Sequence, residues 1–182
     1  MKTIIKPITN LSTKNFLTQE ECYLSSLTYP FSDSDIKQIV SICNQPLIYK
    51  ILFKKKLNNK PYQKKDALKF QKWANKGWKN QTWFVFTIRN KKGDIISCMD
   101  IKTTPPIAEV GYWSNKNYPG IITNAVKEMI NLAKKANYKS LFAKILPTNY
   151  KSQNLVKRVG LKYSTRENYE GILCPKYVLK LK

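Results

Sequence analysis

An amphipathic helix that directly follows a strand and a tight turn constrains this chain more than any other sequence feature. Residues 107–114 read as the strand, and Pro119-Gly120 reads as the turn. Apolar residues then recur at helical spacing, at Ile122, Ala125, Val126, Met129, Leu132, Ala133 and Ala136. The first N–H groups of a helix have no partner within it and carry partial positive charge. This helix start is therefore predicted to bind an anion, such as the pyrophosphate of a nucleotide-like cofactor.

The remaining patterns place strands on both sides of this helix. Residues 84–88 and 95–101 read as a hairpin joined by residues 90–94, and residues 139–146 read as the strand after the helix. Two earlier helices are expected, one capped within Ser32-Asp33-Ser34-Asp35 and one capped by Asp66. Residues 161–163 and 172–181 complete the strands. This order predicts a mixed α/β sheet.

The length of 182 residues and mass of 21.2 kDa fit one domain. Residues 1–20 are polar and are predicted to be an N-terminal extension, either loosely ordered or an added edge segment. Residues 21–182 are predicted to form the domain itself. No apolar run reaches the ~18 residues of a membrane helix, and the N-terminal residues do not resemble a secretory signal.

The chain contains four widely spaced cysteines and no histidine. We therefore expect no metal site, buried free thiols and a cytoplasmic location. The absence of histidine removes the usual general base and the standard hydrolase triads. Acid–base chemistry would have to use carboxylate, tyrosine, thiol, lysine or ordered water.

Three motifs in this order carry a resemblance to a known family. They are Glu109 with Gly111-Tyr112-Trp113, then Pro147-Thr148-Asn149-Tyr150-Lys151-Ser152, then Gly160-Leu161. Together they resemble the GNAT acetyltransferases, in the branch of the ribosomal-protein N-terminal acetyltransferases (RimJ/RimL-like). The resemblance is strongest over about residues 80–165. It implies a single-domain, mostly antiparallel sheet with flanking helices and a splayed central strand pair.

The resemblance also implies a function. The chain is expected to transfer an acetyl group from acetyl-CoA, by direct attack, to a primary amine on a protein N-terminus, a lysine or a small molecule. It implies Glu109 and Ser152 as catalytic residues. The cofactor-binding residues that it implies are Tyr112, Trp113, Ser114, Gly120, Ile121, Ile122, Thr123, Asn149 and Ser152.

Two of these positions also have structural interpretations. Glu109 could be a strand carboxylate held in a salt bridge, and Asn149 could serve as a helix N-cap. In the family the turn before the long helix is Arg/Gln-x-x-Gly-x-Gly/Ala. Here a single glycine, Gly120, is left and the arginine or glutamine is absent.

The excess of basic over acidic residues indicates which binding partners the chain favours. Lysine plus arginine is 33 and aspartate plus glutamate is 11, giving a formal net charge of +22. Such a chain favours anionic partners such as RNA, ribosome surfaces or CoA, and disfavours a polycationic acceptor. The alternative function is therefore a non-catalytic GNAT-like module that binds RNA or ribosome through a lysine-rich surface.

Overall fold

The computed structural model describes residues 4–169 and 171–182. The first three residues of the predicted N-terminal extension lie outside the described residues. In chain order the elements are β1 (Leu11–Lys14), β2 (Glu21–Ser26), α1 (Asp33–Cys43), α2 (Pro46–Ile48) with a π-helical turn (Tyr49–Phe53), α3 (Lys64–Asn80), β3 (Phe84–Asn90), β4 (Ile95–Ile101), β5 (Ile107–Ser114), α4 (Ile121–Lys135), β6 (Ser140–Lys144), α5 (Tyr150–Arg158), β7 (Lys162–Tyr169) and β8 (Ile172–Lys180).

Eight strands form one sheet in the order β1-β2-β3-β4-β5-β6-β8-β7. Every neighbouring pair is antiparallel except β5 and β6, which run parallel because α4 carries the chain across between them. Their pairing covers only three positions, from Ile107↔Ser140 to Glu109↔Phe142. Beyond Glu109, β5 pairs only with β4, and β6 pairs only with β8. The two strands therefore diverge, which confirms the mixed α/β fold with a splayed central pair.

Hydrophobic packing covers both faces of the sheet. One core joins the long helix α4 and the C-terminal half of α5 to strands β3, β4, β5 and β6, and it buries Phe84, Phe86, Met129 and Leu141. The second core packs α1 and α3 on the other face, against Val85 and Cys98 among others. Six of the seven apolar positions predicted for α4 are buried, and the seventh, Leu132, packs against the first core.

Helix starts and ends agree with the sequence in most places. Ser32 caps α1 in a capping box with Asp35. The prediction for α3 was wrong in one detail, because Gln63 occupies the N-cap position. Asp66 is instead the third helical residue, and its carboxylate accepts a hydrogen bond from the Gln63 N–H at 2.9 Å.

The N-terminal segment contributes to the sheet. Strand β1 pairs with β2 from Leu11↔Leu24 to Lys14↔Glu21 and forms one edge. The predicted boundary after residue 20 falls in the loop between these two strands. Whether residues 1–20 are a separable extension stays a prediction.

All four cysteines are free thiols and all are buried. Their positions lie in strands β2, β4 and β8 and at the end of α1. No helix in the described ranges has the length and apolarity needed to cross a membrane. The described residues also contain no group of three or more potential metal-ligating side chains.

Candidate active site

The divergence of β5 and β6 opens a cavity of about 280 Å3 at the centre of the sheet. Its walls come from both strands, from the start of α5, from the π-helical turn and from Tyr169 and Ile172 in the β7–β8 hairpin. Because the strands no longer pair with each other here, the backbone edges of β5 and β6 face the opening. A ligand with amide groups is able to pair with such an edge as an added strand would.

Four predicted site residues meet in this cavity: Glu109, Tyr112, Asn149 and Ser152. Glu109 lies at the last paired position of β5, so its carboxylate stands where the strands begin to separate. Tyr112 lies three residues further along β5 and is half-buried. Asn149 and Ser152 belong to the first turn of α5, which approaches the cavity from the β6 side.

The carboxylate of Glu109 is held by two lysines. Lys102 Nζ donates to Oε1 in a close contact, and Lys144 Nζ lies 3.3 Å from Oε2. The Glu109 side chain remains 18% exposed, so substrate or water still has access to it. Glu109 thus combines the salt-bridged strand carboxylate with a position on the cavity wall.

A second carboxylate lies behind this cluster and was missed by the sequence analysis. Asp100 on β4 pairs with Gly111 on β5, and its Oδ1 is buried without a hydrogen-bond partner. Burial raises the pKa of Asp100, against the opposing attraction of Lys102. Burial also lowers the pKa of Lys102, but Asp100 and Glu109 outweigh it, and the net pKa lies above its usual value. Only the strand register, which the sequence does not display, brings Asp100 to this place.

Gly111 is required by this packing. A Cβ built on Gly111 would lie 2.6 Å from Asp100 Oδ1 and 3.1 Å from Lys102 Cε. No real Cβ tolerates the first of these contacts without movement of its neighbour. The glycine of the Gly-Tyr-Trp motif therefore makes room for the buried carboxylate beside the cavity.

Two hydroxyl groups reach the end of the cavity near α5. The Tyr112 hydroxyl donates to the backbone carbonyl of Ser152 at 3.4 Å. Burial raises the pKa of Tyr112 to about 12, so its phenol is protonated at neutral pH. The Ser152 N–H donates to the Asn149 side-chain oxygen at 3.2 Å, which confirms Asn149 as the N-cap of α5.

The other predicted site residues lie outside the cavity lining. The Trp113 side chain packs against the second core, and the Trp113 carbonyl accepts a 2.5 Å hydrogen bond from the Ser97 hydroxyl. Ser114 is the last residue of β5 and pairs with Ser97. Gly120, Ile121, Ile122 and Thr123 follow at the start of α4. These four residues are therefore not part of the cavity lining.

The start of α4 is partly covered by the loop after β1. The Asn15 side-chain amide donates to the Pro119 carbonyl at 3.0 Å, and the Phe16 N–H donates to the Gly120 carbonyl at 3.3 Å. Gly120 has a left-handed φ of 89°, and a Cβ there would lie 2.5 Å from Asn15 Oδ1 and 2.8 Å from Leu17 Cγ. Gly120 is therefore required both by its own conformation and by this covering loop.

Two backbone N–H groups at the start of α4 form long hydrogen bonds to carbonyl groups of the preceding turn. The Ile121 N–H donates to the Tyr118 carbonyl, and the Thr123 N–H donates to the Gly120 carbonyl, each at a long 3.4 Å. Arg158 from the end of α5 reaches the same place, with Nη1 3.5 Å from the Thr123 hydroxyl and its guanidinium 5.1 Å from the centre of the Phe16 ring. An arginine thus lies near this helix start even though the turn itself has none.

The chain belongs to the GNAT acetyltransferase family, because the family's acetyltransferase (GNAT) domain matches residues 27–162. The fold is similar to that of RimJ from Mycobacterium smegmatis, solved in complex with CoA-disulfide. That structure has a TM-score of 0.75 and 14% sequence identity, over 96% of this chain and 88% of RimJ. A search of curated proteins found no match by sequence.

Two further solved structures have the same fold. The microcin C7 self-immunity acetyltransferase MccE, in complex with acetyl-CoA and AMP, has a TM-score of 0.71 and 18% identity over 87% of this chain and 92% of MccE. The ribosomal-protein-S5-alanine acetyltransferase from Vibrio fischeri has a TM-score of 0.68 and 16% identity, covering 94% of this chain and 97% of its own. At such identities the likeness establishes the fold, and the predicted resemblance to the RimJ/RimL-like branch is confirmed at this level.

Proposed function

We propose that this protein is an acetyl-CoA-dependent N-acetyltransferase that acts on a primary amine by direct attack. The observation that carries the proposal is the cavity between the diverging strands β5 and β6, which brings together Glu109, Tyr112, Asn149 and Ser152. Support comes from RimJ and MccE, similar structures that hold CoA-disulfide and acetyl-CoA respectively. Acetyl-CoA, when bound, supplies the acyl group as a thioester.

The residues divide the acid–base work between the two ends of the cavity. At the β5–β6 junction, Glu109 accepts a proton from the acceptor amine, directly or through water. The paired lysines Lys102 and Lys144 keep the Glu109 carboxylate in place. An N-terminal amine has a pKa of ~7.7–8 and a lysine amine of ~10.4, so the first needs less help to become neutral.

At the α5 end, the departing thiolate needs a proton. Ser152 is the predicted donor, and Tyr112 is the stronger acid of the two hydroxyls. Because the Tyr112 hydroxyl lies against the Ser152 backbone, both groups reach the same end of the cavity. Asn149 caps α5 and orients this first turn toward the pantetheine arm.

The start of α4 is proposed to hold the pyrophosphate through the backbone N–H groups of Gly120, Ile121, Ile122 and Thr123. Arg158 supplies the positive side chain that the turn lacks. Tyr112, Trp113 and Ser114 offer the β5 edge between this helix start and the cavity.

Calorimetric titration with acetyl-CoA tests the proposal. We expect one binding site, together with release of CoA when an amine acceptor is added. The alternative is a non-catalytic module that binds RNA or ribosome, and the loop of residues 15–17 over the start of α4 favours it. Tight RNA binding without acetyl-CoA binding at millimolar concentration would make the module the better description.

A further inference from the structure

The cavity between β5 and β6 has a strongly one-sided charge. Five lysines line it, and among the described residues Glu109 is the only acidic side chain that does so; the five are Lys50, Lys55, Lys56, Lys102 and Lys144. Because Glu109 already pairs with Lys102 and Lys144, it does not also neutralise Lys50 and Lys56. The described lining residues therefore give the cavity a positive potential.

The excess positive charge comes from one side of the cavity. Lys50 belongs to the π-helical turn, and Lys56 follows it, with both side chains exposed. Within the described part of the chain, neither lysine forms an ion pair with a carboxylate. Lys56 still acts on the interior, because its charge is among those that lower the pKa of Asp100 against the effect of burial.

This potential acts on an acceptor in two ways. Repulsion disfavours an acceptor that carries a second ammonium group, and attraction favours one that carries a carboxylate or phosphate. Nearby positive charge also lowers the pKa of an amine, because it disfavours the protonated form. The same lysines would thus recruit an anionic acceptor and increase the neutral, reactive fraction of its amine.

We propose that the lysine-lined cavity selects a primary amine that carries a carboxylate or phosphate close to the amino group. The inference rests on the proposed acetyl transfer and specifies its substrate class. It excludes polyamines and lysine-rich peptides as preferred acceptors. The anionic group is expected to lie against Lys50 and Lys56, while the amine lies against Glu109.

The test compares acceptors that differ only in charge. Three peptides begin with serine and continue with two aspartates, two glutamines or two lysines, and one further pair of acceptors is phosphoethanolamine and ethanolamine. We expect kcat/KM to be about tenfold higher for the acidic peptide than for the glutamine peptide, and lower again for the lysine peptide. The preference should shrink as salt rises. The peptide and phosphate arms identify which source of the anion is used.

Two variants locate the effect. Lys50→Gln and Lys56→Gln should each reduce the ratio of acidic to neutral kcat/KM by about threefold or more. Lys76→Gln on the exposed face of α3 is the matched control and should leave the ratio as it is. Equal kcat/KM for all acceptors, or a preference for the lysine peptide, would overturn the inference while leaving acetyl transfer intact.

A binding titration with the peptides, monitored by tryptophan fluorescence, tests the inference even if no acetyl transfer is detected. Tighter binding of the acidic peptide, weakened in Lys56→Gln but not in Lys76→Gln, supports the lysine-lined cavity as an anion-selective site. Equal affinity for the acidic, neutral and basic peptides would refute the inference. Failure of the acetyl-transfer proposal is recognised separately, by the absence of acetyl-CoA binding in calorimetry.

Discussion

Glu109 is both a salt-bridged strand carboxylate and a residue of the cavity wall. It lies at the last paired position between β5 and β6, where it forms ion pairs with Lys102 and Lys144. We expect Glu109→Gln to lower kcat by about 100-fold at pH 6, because a general base contributes most when the amine is protonated. The deficit should shrink toward pH 9. The check is a pH–rate profile with acetyl-CoA affinity measured in parallel, and wild-type turnover across this range would remove Glu109 from the mechanism.

The two hydroxyls at the α5 end can be separated by substitution. Tyr112→Phe is expected to lower kcat more than Ser152→Ala, because the phenol is the stronger acid and a thiolate leaving group needs a proton donor. Tyr163→Phe serves as a control on the exposed β7 strand. The measurement is kcat against KM for acetyl-CoA with a good acceptor. A larger loss in Ser152→Ala would return the donor role to the residue that the sequence indicated.

Asp100 is a carboxylate whose native environment opposes its charge. Because its pKa is raised on folding, its contribution to stability is present below the unfolded pKa and is lost as pH rises through the folded pKa. Asp100→Asn should therefore be at least as stable as the wild-type protein at pH 7. Denaturant unfolding at pH 7 and pH 4 tests this, and a large loss of stability at pH 7 would contradict it.

Asp35 provides the opposite case as a control. It is buried, pairs with Arg89 at 2.7 Å, and has a net lowered pKa because Arg89 and Ser32 outweigh the effect of burial. A group whose pKa is lowered on folding stabilises the native state at pH values above its unfolded pKa. This contribution is lost as the pH falls through the folded pKa. Asp35→Asn should lose about 1–3 kcal/mol at pH 7 and less in acid.

At the scale of elements, the start of α4 is more crowded than the sequence indicates. A substitution such as Gly120→Val would disturb the covering loop and the backbone, so it is a poor probe of cofactor binding alone. Arg158→Gln is the cleaner change. We expect it to weaken acetyl-CoA binding roughly tenfold, since a charged contact to phosphate is lost. Arg166→Gln on β7 is the control, and equal affinity of the two variants would remove Arg158 from the site.

Helix α4 could be predicted from sequence because its apolar residues recur at helical spacing, and Ser32 and Asn149 cap their helices as predicted. Strand β3 is buried almost continuously, and the alternation expected for it divides its side chains between two cores, with Phe84 and Phe86 in the first and Val85 in the second. Strand β7 was predicted only for residues 161–163, but it continues to Tyr169. Its residues are almost all exposed at the sheet edge, so no apolar alternation marks it.

Side-chain pairings across elements were not predictable in the same way. Asp100 meets Gly111 through strand register, and Arg158 meets Thr123 through the packing of α5 against α4. The aromatic residues of α3 show the same limit. Trp78 is buried in the core, whereas Trp73 is 39% exposed and stacks on Trp83 with 5.4 Å between ring centres.

At the scale of the whole molecule, the net charge of +22 should dominate nonspecific association. Lys72, Trp73 and Lys76 are all exposed on α3. We expect RNA binding at low salt that falls steeply as salt rises, because neutralised phosphates release counterions. Replacing both lysines with glutamine should reduce the salt slope by about one to two. Binding indifferent to salt, or an unchanged slope, would contradict a phosphate-contact mode at this face.

Because every cysteine is buried, the folded protein should contribute little signal to an assay that detects free thiols. Burial raises the pKa of the Cys22 thiol to about 11 and raises the pKa of Cys43, Cys98 and Cys174 as well, so little thiolate is available in the native state. A colorimetric disulfide reagent added to a folded sample should therefore react with released coenzyme and hardly with protein. Without coenzyme, the same reagent measures the rate of unfolding, because the cysteines react only once they are exposed.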